Sequence, residues 1–558
     1  MTARFLGLLF VLVAGFLGGA AAAERAPGKA AIASAHPLAT AAGRETLEAG
    51  GNAFDAAVAV AAALAVVEPN SSGLGGGGFF LLHRSRDARD MMIDAREKAP
   101  GAATRDMFLD KDGNPVPRLS TDSALAAGIP GEVAGLGLIA RKYGRLTLAA
   151  DLKPAIRLAR EGFPLYARLA AVIGYRQQVL RRQPDAAAVF LHDGAAPEPG
   201  FIIKQPQLAE TLELIAREGS EAFYKGAFAR RLVAGVRGLG GNWSEADLAG
   251  YAALERAPIV GLYRDARIVS ASPPASGGVA LVDALHILEG YDLKGLDSAT
   301  RKHLIIEAMR RMHQDRAVYL GDPDFVSIPI EMLTSRFYAA GQRTSIRLDR
   351  ATASESLPGI DAAHVGPETT HFSILDRDGN RAAVTITINL GFGSALMVPG
   401  TGVVLNNEMD DFSIKAGTPN AFRLIGADAN SIAPGKRMLS SSTPTFVETP
   451  HGLMIAGSPG GNFIISMALL ATLDFMDGRS AAEIVAAPRI NHQFLPDVVD
   501  YEPGALTDVE RAQLEKEGYK LEEFRRRWGN MQVVTWDYAS GKVEAASDPR
   551  GEGAGWVY

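Results

Sequence analysis

The sequence predicts a mixed fold of the α+β class. A long apolar stretch with helical character runs from about 51 to 67, and helical periodicity dominates from about 130 to 342. Two runs of alternating polar and apolar residues after position 368 have the pattern of paired strands. With 558 residues, 47% of them hydrophobic, the chain can bury a large core.

Charge and composition exclude several classes of function. Lys and Arg number 57 against 63 Asp and Glu, and no dense basic run occurs, which argues against nucleic acid or anionic lipid as a partner. The chain has no cysteine, so disulfides and thiolate chemistry are excluded. Its ten histidines include no pair with the spacing of a zinc helix. We expect a small-molecule substrate, with no metal and no cofactor.

The amino terminus has the pattern of a signal peptide over residues 1–23. Arg4 precedes an apolar run, and the small residues 21–23 provide a cleavage site. We expect cleavage after Ala23 and a periplasmic or secreted mature protein without membrane association. The alternative is a retained membrane anchor, since residues 5–23 are just long enough to span a bilayer.

The first predicted helix covers about 51 to 67. Asn52 and Asp55 supply a capping start, Pro69 a stop, and apolar residues all round predict burial. A glycine loop at 73–78 then leads into a strand. Loops that bind nucleotide phosphates lead from a strand into a helix, so this reversed order disfavours a nucleotide site.

The middle of the chain is predicted to be mainly helical. We expect the arginine-rich stretch 301–316 to face solvent. Residues 349–368 are rich in Ser, Ala, Pro and Gly without an apolar period, which predicts a mobile linker. Helix breaks are expected at four prolines: Pro154, Pro164, Pro273 and Pro323.

Beyond the linker, the pattern predicts a β-hairpin. Runs at 369–376 and 380–389 flank a three-residue loop that ends in Gly379. This register places Thr369 opposite Thr387 and His371 opposite Thr385, with Cβ atoms about 5 Å apart. One face is polar and carries Thr369, His371, Thr385, Thr387 and Asn389. The other carries apolar residues that can pack on a core, namely Phe372, Ile386 and Ile388.

Thr369 is a candidate nucleophile because it follows the linker. If the Glu368–Thr369 bond were cut, the hydroxyl of Thr369 would lie beside a free amine whose pKa is about 8. One residue would then supply both nucleophile and general base. The alternative is an ordinary β-branched strand residue.

Several sequence motifs together resemble the γ-glutamyltranspeptidase family of N-terminal nucleophile hydrolases. One of them, at 368–373, lies at the start of the hairpin, and two lie after it, at 405–412 and 457–461. Others occur at 73–79, 94–97, 128–131, 274–278 and 319–323. The likeness covers almost the whole mature chain.

The resemblance implies a four-layer αββα sandwich formed by two subunits of one precursor. The precursor would cleave itself between Glu368 and Thr369, giving a large subunit, 24–368, and a small subunit, 369–558, that remain together as a heterodimer. Thr369 would then attack γ-glutamyl amides such as glutathione and pass the acyl group to water or to amino acid or peptide acceptors.

The resemblance also implies roles for individual residues. Thr387 would orient the nucleophile, and Gly460 and Gly461 would offer backbone N–H groups to the oxyanion. The substrate's α-carboxylate would be bound by Arg96, Ser440 and Ser441. Its α-ammonium would be bound by Asn389, Glu408 and Asp411. Each of these residues also has an ordinary structural interpretation as a turn, a polar loop or a surface charge.

Two departures from the family pattern concern the site. Glu408 stands where some relatives carry Gln. Phe422, in the segment 415–437 that would form a lid, stands where many relatives carry an aromatic hydroxyl, so the balance of hydrolysis and transfer is open. Two alternative functions are a cephalosporin or glutaryl acylase of the same family and a non-catalytic exported binding protein. Asp411 and Glu408 favour a glutamyl donor.

Overall fold

The computed structural model describes residues 26–357, 369–415, 417–524 and 527–558. The predicted signal peptide, 1–23, and Glu368 of the predicted cleavage site lie outside these ranges. No helix in the described ranges is long and apolar enough to cross a membrane.

The described residues form seventeen helices and eighteen strands. The helices are α1 Pro37–Glu48, α2 Ala53–Val67, α3 Glu132–Tyr143, α4 Leu148–Glu161, α5 Ala167–Leu180, α6 Pro184–Phe190, α7 Pro206–Glu218, α8 Glu221–Tyr224, α9 Gly226–Gly238, α10 Glu245–Ala249, α11 Gly277–Glu289, α12 Ser298–Tyr319, α13 Ile330–Leu333, α14 Arg336–Arg343, α15 Ile464–Met476, α16 Ala481–Ala486 and α17 Asp508–Lys516. The strands are β1 Ala31–Ser34, β2 Gly77–Arg84, β3 Arg89–Ala95, β4 Phe163–Pro164, β5 Ile202–Ile203, β6 Leu254–Arg256, β7 Ile259–Tyr263, β8 Ala266–Ser270, β9 Thr370–Leu375, β10 Arg381–Thr387, β11 Thr445–Glu448, β12 Gly452–Gly457, β13 Ile490–Asn491, β14 Val499–Tyr501, β15 Leu521–Glu523, β16 Gln532–Asp537, β17 Val543–Ser547 and β18 Ala554–Val557.

Two antiparallel sheets organise these elements. The first has seven strands in the order β18-β1-β9-β10-β2-β3-β6, and the second has six in the order β17-β16-β12-β11-β8-β7. Both sheets contain strands from before and from after the predicted linker. The first sheet places β9 and β10 between β1 and β2, so backbone hydrogen bonds join the two parts of the chain.

Three apolar cores hold the layers together. Helices α1 to α3 pack on the outer face of the first sheet, where Phe80 and Ile386 are fully buried, and α4 packs on these helices. The inner faces of the two sheets contact each other through residues such as Leu375 and Phe446. Helices α11, α12 and α15 pack around the outer face of the second sheet. The mixed helix and sheet class is therefore confirmed.

Helix α2 shows how the sequence determines an element. The side chain of Asn52 accepts hydrogen bonds from two backbone N–H groups of the first turn, and Asp55 bonds back to the N–H of Asn52. This capping box begins the helix at Ala53, two residues after the predicted start. Every residue of α2 is buried, as its continuous apolar character predicts.

The structure corrects two expectations for the middle of the chain. Strands β6 to β8 interrupt the helices there. In β7, Val260 and Leu262 point outward and are half-exposed although they are apolar, so the sequence shows no period of two. Helix α4 also continues through Pro154, which the sequence predicts as a break. A proline inside a helix costs about 3 kcal/mol, and Pro154 is buried in the core, where packing offsets this cost.

The arginine-rich stretch in α12 is buried, which is the largest correction. Arg310 and Arg311 are each 1% exposed and bond to Glu307, three and four residues earlier on the same helix face. Arg316 is 5% exposed. The prediction of a solvent face is wrong because this helix lies between other elements of the second sheet's outer layer.

The described part of the predicted linker, 349–357, is held by specific hydrogen bonds. The backbone N–H of Thr352 bonds to Glu307, and that of Ser354 bonds to Asp497 at 2.8 Å. This part is therefore anchored to the body of the protein, contrary to the predicted mobility. Residues 358–368 lie outside the described ranges.

Candidate active site

The structure gathers the predicted site residues around one pocket between the two sheets. All predicted site residues that the structure describes line this pocket except Gly460, which directly precedes Gly461 in the chain. Glu368 lies outside the described ranges. The residues that line the pocket are Arg96, Thr369, Thr387, Asn389, Glu408, Asp411, Phe422, Ser440, Ser441, Ser442, Gly461 and Ile464.

Thr369 lies immediately before β9 and is 7% exposed. The predicted register is confirmed, since β9 and β10 pair His371 with Thr385 and Thr370 with Ile386. Consequently the hydroxyl oxygens of Thr369 and Thr387 lie 3.3 Å apart, within hydrogen-bond distance.

Thr387 is itself fixed by the turn that follows its strand. The backbone N–H of Asn389 donates to the Thr387 hydroxyl oxygen at 2.7 Å. Asn389 has a φ of 78°, in the left-handed region, so β10 ends before the predicted position 389. The Asn389 side chain still reaches the pocket, where it donates to the carbonyl of Asn407 at 2.9 Å. The turn therefore sets the direction of the Thr387 hydroxyl.

Arg96 follows β3 and is 1% exposed. A guanidinium has five N–H groups, and Arg96 directs them at acceptors of the protein itself. The acceptors are the carbonyls of Met438, 3.3 Å away, and Leu439, 3.5 Å away, and the carboxylates of Glu97, 3.5 Å away, and Asp411. Glu408, 2.6 Å away, adds a salt bridge. The guanidinium of Arg96 is thus held by three carboxylates and two carbonyls of the protein.

The pocket contains more carboxylates than cations around Arg96. Burial opposes the charge of Arg96, but the neighbouring carboxylates of Glu408 and Asp411 raise its pKa above the usual value. Burial raises the pKa of Glu97 to about 7 and raises that of Glu408 well above its usual value, with repulsion from Glu97 and Asp411 adding to the effect on Glu408. Such a site favours a cationic group in a ligand.

The two serines line the pocket directly after Met438 and Leu439, whose carbonyls Arg96 contacts. Ser440 forms a bridge with Ala275, and its hydroxyl bonds to that of Ser442 at 3.0 Å. The hydroxyl of Ser441 accepts a hydrogen bond from Arg316 at 3.2 Å. Sequence reasoning missed Arg316 because a stretch rich in arginine usually lies at the surface. Ser442 could have been found, since it continues the serine run.

The glycines follow β12 and precede α15. Gly460 and Gly461 have φ values of 144° and 52°, conformations that L side chains rarely adopt. A Cβ on Gly460 would lie 2.7 Å from Met467. Both positions therefore require glycine, and Gly461 presents its backbone directly to the pocket.

Phe422 lines the pocket from the segment 415–437, as expected for a lid. Its backbone N–H bonds to the side chain of Asn420, which also donates to Asp411 at 3.2 Å. The lid segment is thus connected to a carboxylate of the pocket. In the described ranges no group of three or more acidic or histidine side chains is arranged to hold a metal ion.

Comparison with known proteins identifies relatives along most of this chain. The chain is 42% identical over 525 residues to a glutathione hydrolase proenzyme of Escherichia coli, covering 93% of this chain and 90% of that protein. It is 44% identical over 497 residues to a glutathione hydrolase proenzyme of a Pseudomonas species, covering 88% and 86%. A crystal structure of cephalosporin acylase from Bacillus halodurans superposes with a TM-score of 0.82 at 28% identity, covering 95% of both chains.

The shared fold and the pocket define an enzyme. A sequence model of the family described as Gamma-glutamyltranspeptidase matches residues 39–558. The chain belongs to the γ-glutamyltranspeptidase family, and the resemblance drawn from its motifs is confirmed.

Proposed function

We propose that this protein is a self-processing γ-glutamyltransferase and glutathione hydrolase with Thr369 as its nucleophile. The observation that carries the proposal is the buried Thr369 hydroxyl, 3.3 Å from that of Thr387, in a pocket that also contains Arg96 and Asp411. Relatives named glutathione hydrolase proenzyme support the substrate and the precursor form.

The proposed maturation divides the chain into a large subunit, 24–368, and a small subunit, 369–558, after removal of the signal peptide, 1–23. The mature protein would be a heterodimer in the periplasm or outside the cell, with a four-layer αββα sandwich shared by both subunits. Because β9 and β10 lie between β1 and β2 in one sheet, cleavage would leave the subunits joined by backbone hydrogen bonds.

Cleavage begins when Thr369 Oγ attacks the carbonyl carbon of Glu368. The peptide C–N bond breaks, an ester to Oγ forms, and the nitrogen of Thr369 becomes a free amine. Water then hydrolyses the ester, which leaves the carboxylate of Glu368 and restores the Thr369 hydroxyl.

In turnover, the same oxygen attacks the γ-carbonyl of the donor. The Thr369 amine takes the hydroxyl proton and passes it to the departing amine, while Oγ keeps the γ-glutamyl group as an ester. The backbone N–H groups of Gly460 and Gly461 stabilise the oxyanion. Water releases glutamate from the ester, and an amino acid or peptide acceptor instead takes the acyl group through its neutral amine.

The donor is bound as a zwitterion. Arg96, Ser440 and Ser441 take its α-carboxylate, and Asn389, Glu408 and Asp411 take its α-ammonium. Because Asp411 is paired with Arg96, binding is an exchange in which Asp411 leaves the guanidinium for the ammonium. Asp411 suits this step, since its side chain is 11% exposed whereas that of Glu408 is fully buried.

Amino-terminal sequencing of the purified protein tests the cleavage site. We expect two chains, the smaller beginning at Thr369, and turnover of a γ-glutamyl anilide. Thr369→Ala should give one uncut, folded chain, whereas Thr369→Ser keeps a hydroxyl and should still cleave. Cleavage at this bond in the alanine variant would show that the Thr369 hydroxyl is not responsible.

Similarity to a cephalosporin acylase makes acylase activity the second candidate. A glutaryl group lacks the α-ammonium, so it would offer Asp411 and Glu408 no cationic group. We therefore expect a larger kcat/KM for γ-glutamyl anilide than for glutaryl anilide, and the reverse order would favour the acylase. A single chain near the full 59.0 kDa that turns over neither substrate would favour a binding protein.

A further inference from the structure

We infer that Arg316 is a positioning residue that fixes the hydroxyl of Ser441 as a hydrogen-bond donor to the donor substrate's α-carboxylate. The inference rests on the proposed function and extends it to a residue outside the pocket lining. Arg316 lies near the end of α12, 125 residues before Ser441 in the chain.

The hydrogen bonds of Arg316 determine the direction of the Ser441 proton. A guanidinium can only donate, so Ser441 Oγ must accept from Arg316 Nη2, at 3.2 Å. No other hydrogen bond of this hydroxyl occurs among the residues that the structure describes. Its O–H therefore remains available to donate, and Ser441 lines the pocket.

Arg316 also holds the backbone beside Ser441. Its Nε donates to Ser276 Oγ at 3.1 Å, and that hydroxyl donates to the carbonyl of Ser440 at 2.6 Å. The backbone N–H of Ser276 donates to the same carbonyl at 2.7 Å. One buried side chain thus fixes both the main chain at Ser440 and the side chain at Ser441.

The charge of Arg316 indicates what kind of ligand Ser441 serves. Asp411 attracts Arg316, yet this carboxylate is bonded to Arg96. In the described part of the chain Arg316 forms no salt bridge, and burial lowers its pKa to about 10. A buried cation of this kind gains most from an anion. The α-carboxylate on Ser441 would supply that anion.

The test compares Arg316→Gln, Ser441→Ala and the double variant with γ-glutamyl anilide as donor. We expect Arg316→Gln to lower kcat/KM by about tenfold or more, mainly through KM, because the lost interaction is made to a part of the donor that does not react. In the Ser441→Ala background the same change should have a clearly smaller effect, because the part of it that passes through the Ser441 hydroxyl is already lost. Arg301→Gln, near the start of the same helix, where Arg301 is half-buried and pairs with Asp477 away from the pocket, is the matched control and should retain wild-type kcat/KM.

The outcomes distinguish this inference from the proposed function. If the wild type cleaves no γ-glutamyl anilide, the proposed function fails. If the wild type is active but the losses in kcat/KM of Arg316→Gln and Ser441→Ala simply multiply in the double variant, the inference is overturned. A loss of kcat alone in Arg316→Gln would also overturn it. Should Arg316→Gln fail to accumulate, Arg316→Lys replaces it, because lysine keeps the charge but reaches fewer acceptors. A wild-type KM in folded Arg316→Lys, with Ser441→Ala impaired, would equally overturn it.

Discussion

Replacing Thr387 by valine separates its structural role from its chemical one. Valine has nearly the shape of threonine but lacks the hydroxyl that lies 3.3 Å from Thr369 Oγ and accepts the Asn389 N–H at 2.7 Å. Thr387→Val therefore removes two hydrogen bonds without leaving a cavity.

The two losses have different sizes and different consequences. The bond to the nucleophile is a neutral hydrogen bond worth about 0.5 to 1.5 kcal/mol, which corresponds to a roughly 2- to 13-fold loss in rate. The N–H of Asn389 is buried, and leaving it without a partner costs about 1 to 3 kcal/mol of stability. This second cost falls on substrate-free and substrate-bound enzyme alike, so it should not enter kcat/KM.

Three measurements resolve these effects. The rate of self-cleavage is followed on denaturing gels, kcat/KM is measured with γ-glutamyl anilide, and unfolding is followed in urea. Thr387→Ser keeps the hydroxyl and should behave like the wild type in all three. If Thr387→Val loses stability but cleaves itself and turns over at wild-type rates, Thr387 has no part in orienting the nucleophile.

Three further changes test the pocket and its surroundings. Arg96→Lys cannot reach all the acceptors of the guanidinium, so kcat/KM for γ-glutamyl anilide should fall roughly 10- to 150-fold, from a loss of about 1.5 to 3 kcal/mol, while Arg105→Lys outside the pocket should not change it. Phe422→Tyr restores a hydroxyl to the lid, which should keep water out for longer and shift product from glutamate to γ-glutamyl peptide with glutathione and glycylglycine. An unchanged product ratio would remove Phe422 from control of this step. Burial lowers the pKa of His371 from 6.5 to about 3. The unfolded chain therefore takes up this proton first as the pH falls, and stability is lost below about pH 6.5. Between pH 7 and pH 5, the free energy of unfolding measured in urea should fall about 2 kcal/mol less in His371→Gln than in the wild type. Equal decreases in the two proteins would contradict this.

Local patterns predicted those parts of the structure that depend on neighbours in the chain. Asp376, Gly379 and Asn380 fixed the hairpin register, because a turn of given length allows one pairing of the strands that leave it. That register placed Thr369 beside Thr387. The other predicted site residues were identified through the family's motifs, and among those that the structure describes all but Gly460 line the pocket, whereas Ser442 and Ile464 line it without having been predicted.

The errors share one physical origin. Strand β7 lies at a sheet edge, so its outward residues Val260 and Leu262 can be apolar and the alternation disappears. Pro154 is tolerated in α4 because core packing outweighs its local cost. In both cases tertiary contacts override the preference of a short segment.

The sequence by itself determined the mixed fold class, the buried helix α2, the hairpin and the family. Only the tertiary structure decided that the arginines of α12 are buried and that Arg316 reaches Ser441, 125 residues away. It also decided that Arg96 pairs with the carboxylates of Glu408 and Asp411. Secondary structure and motifs depend on residues that are close in the chain. The partner of a buried charge depends instead on which distant segments the packed layers bring together.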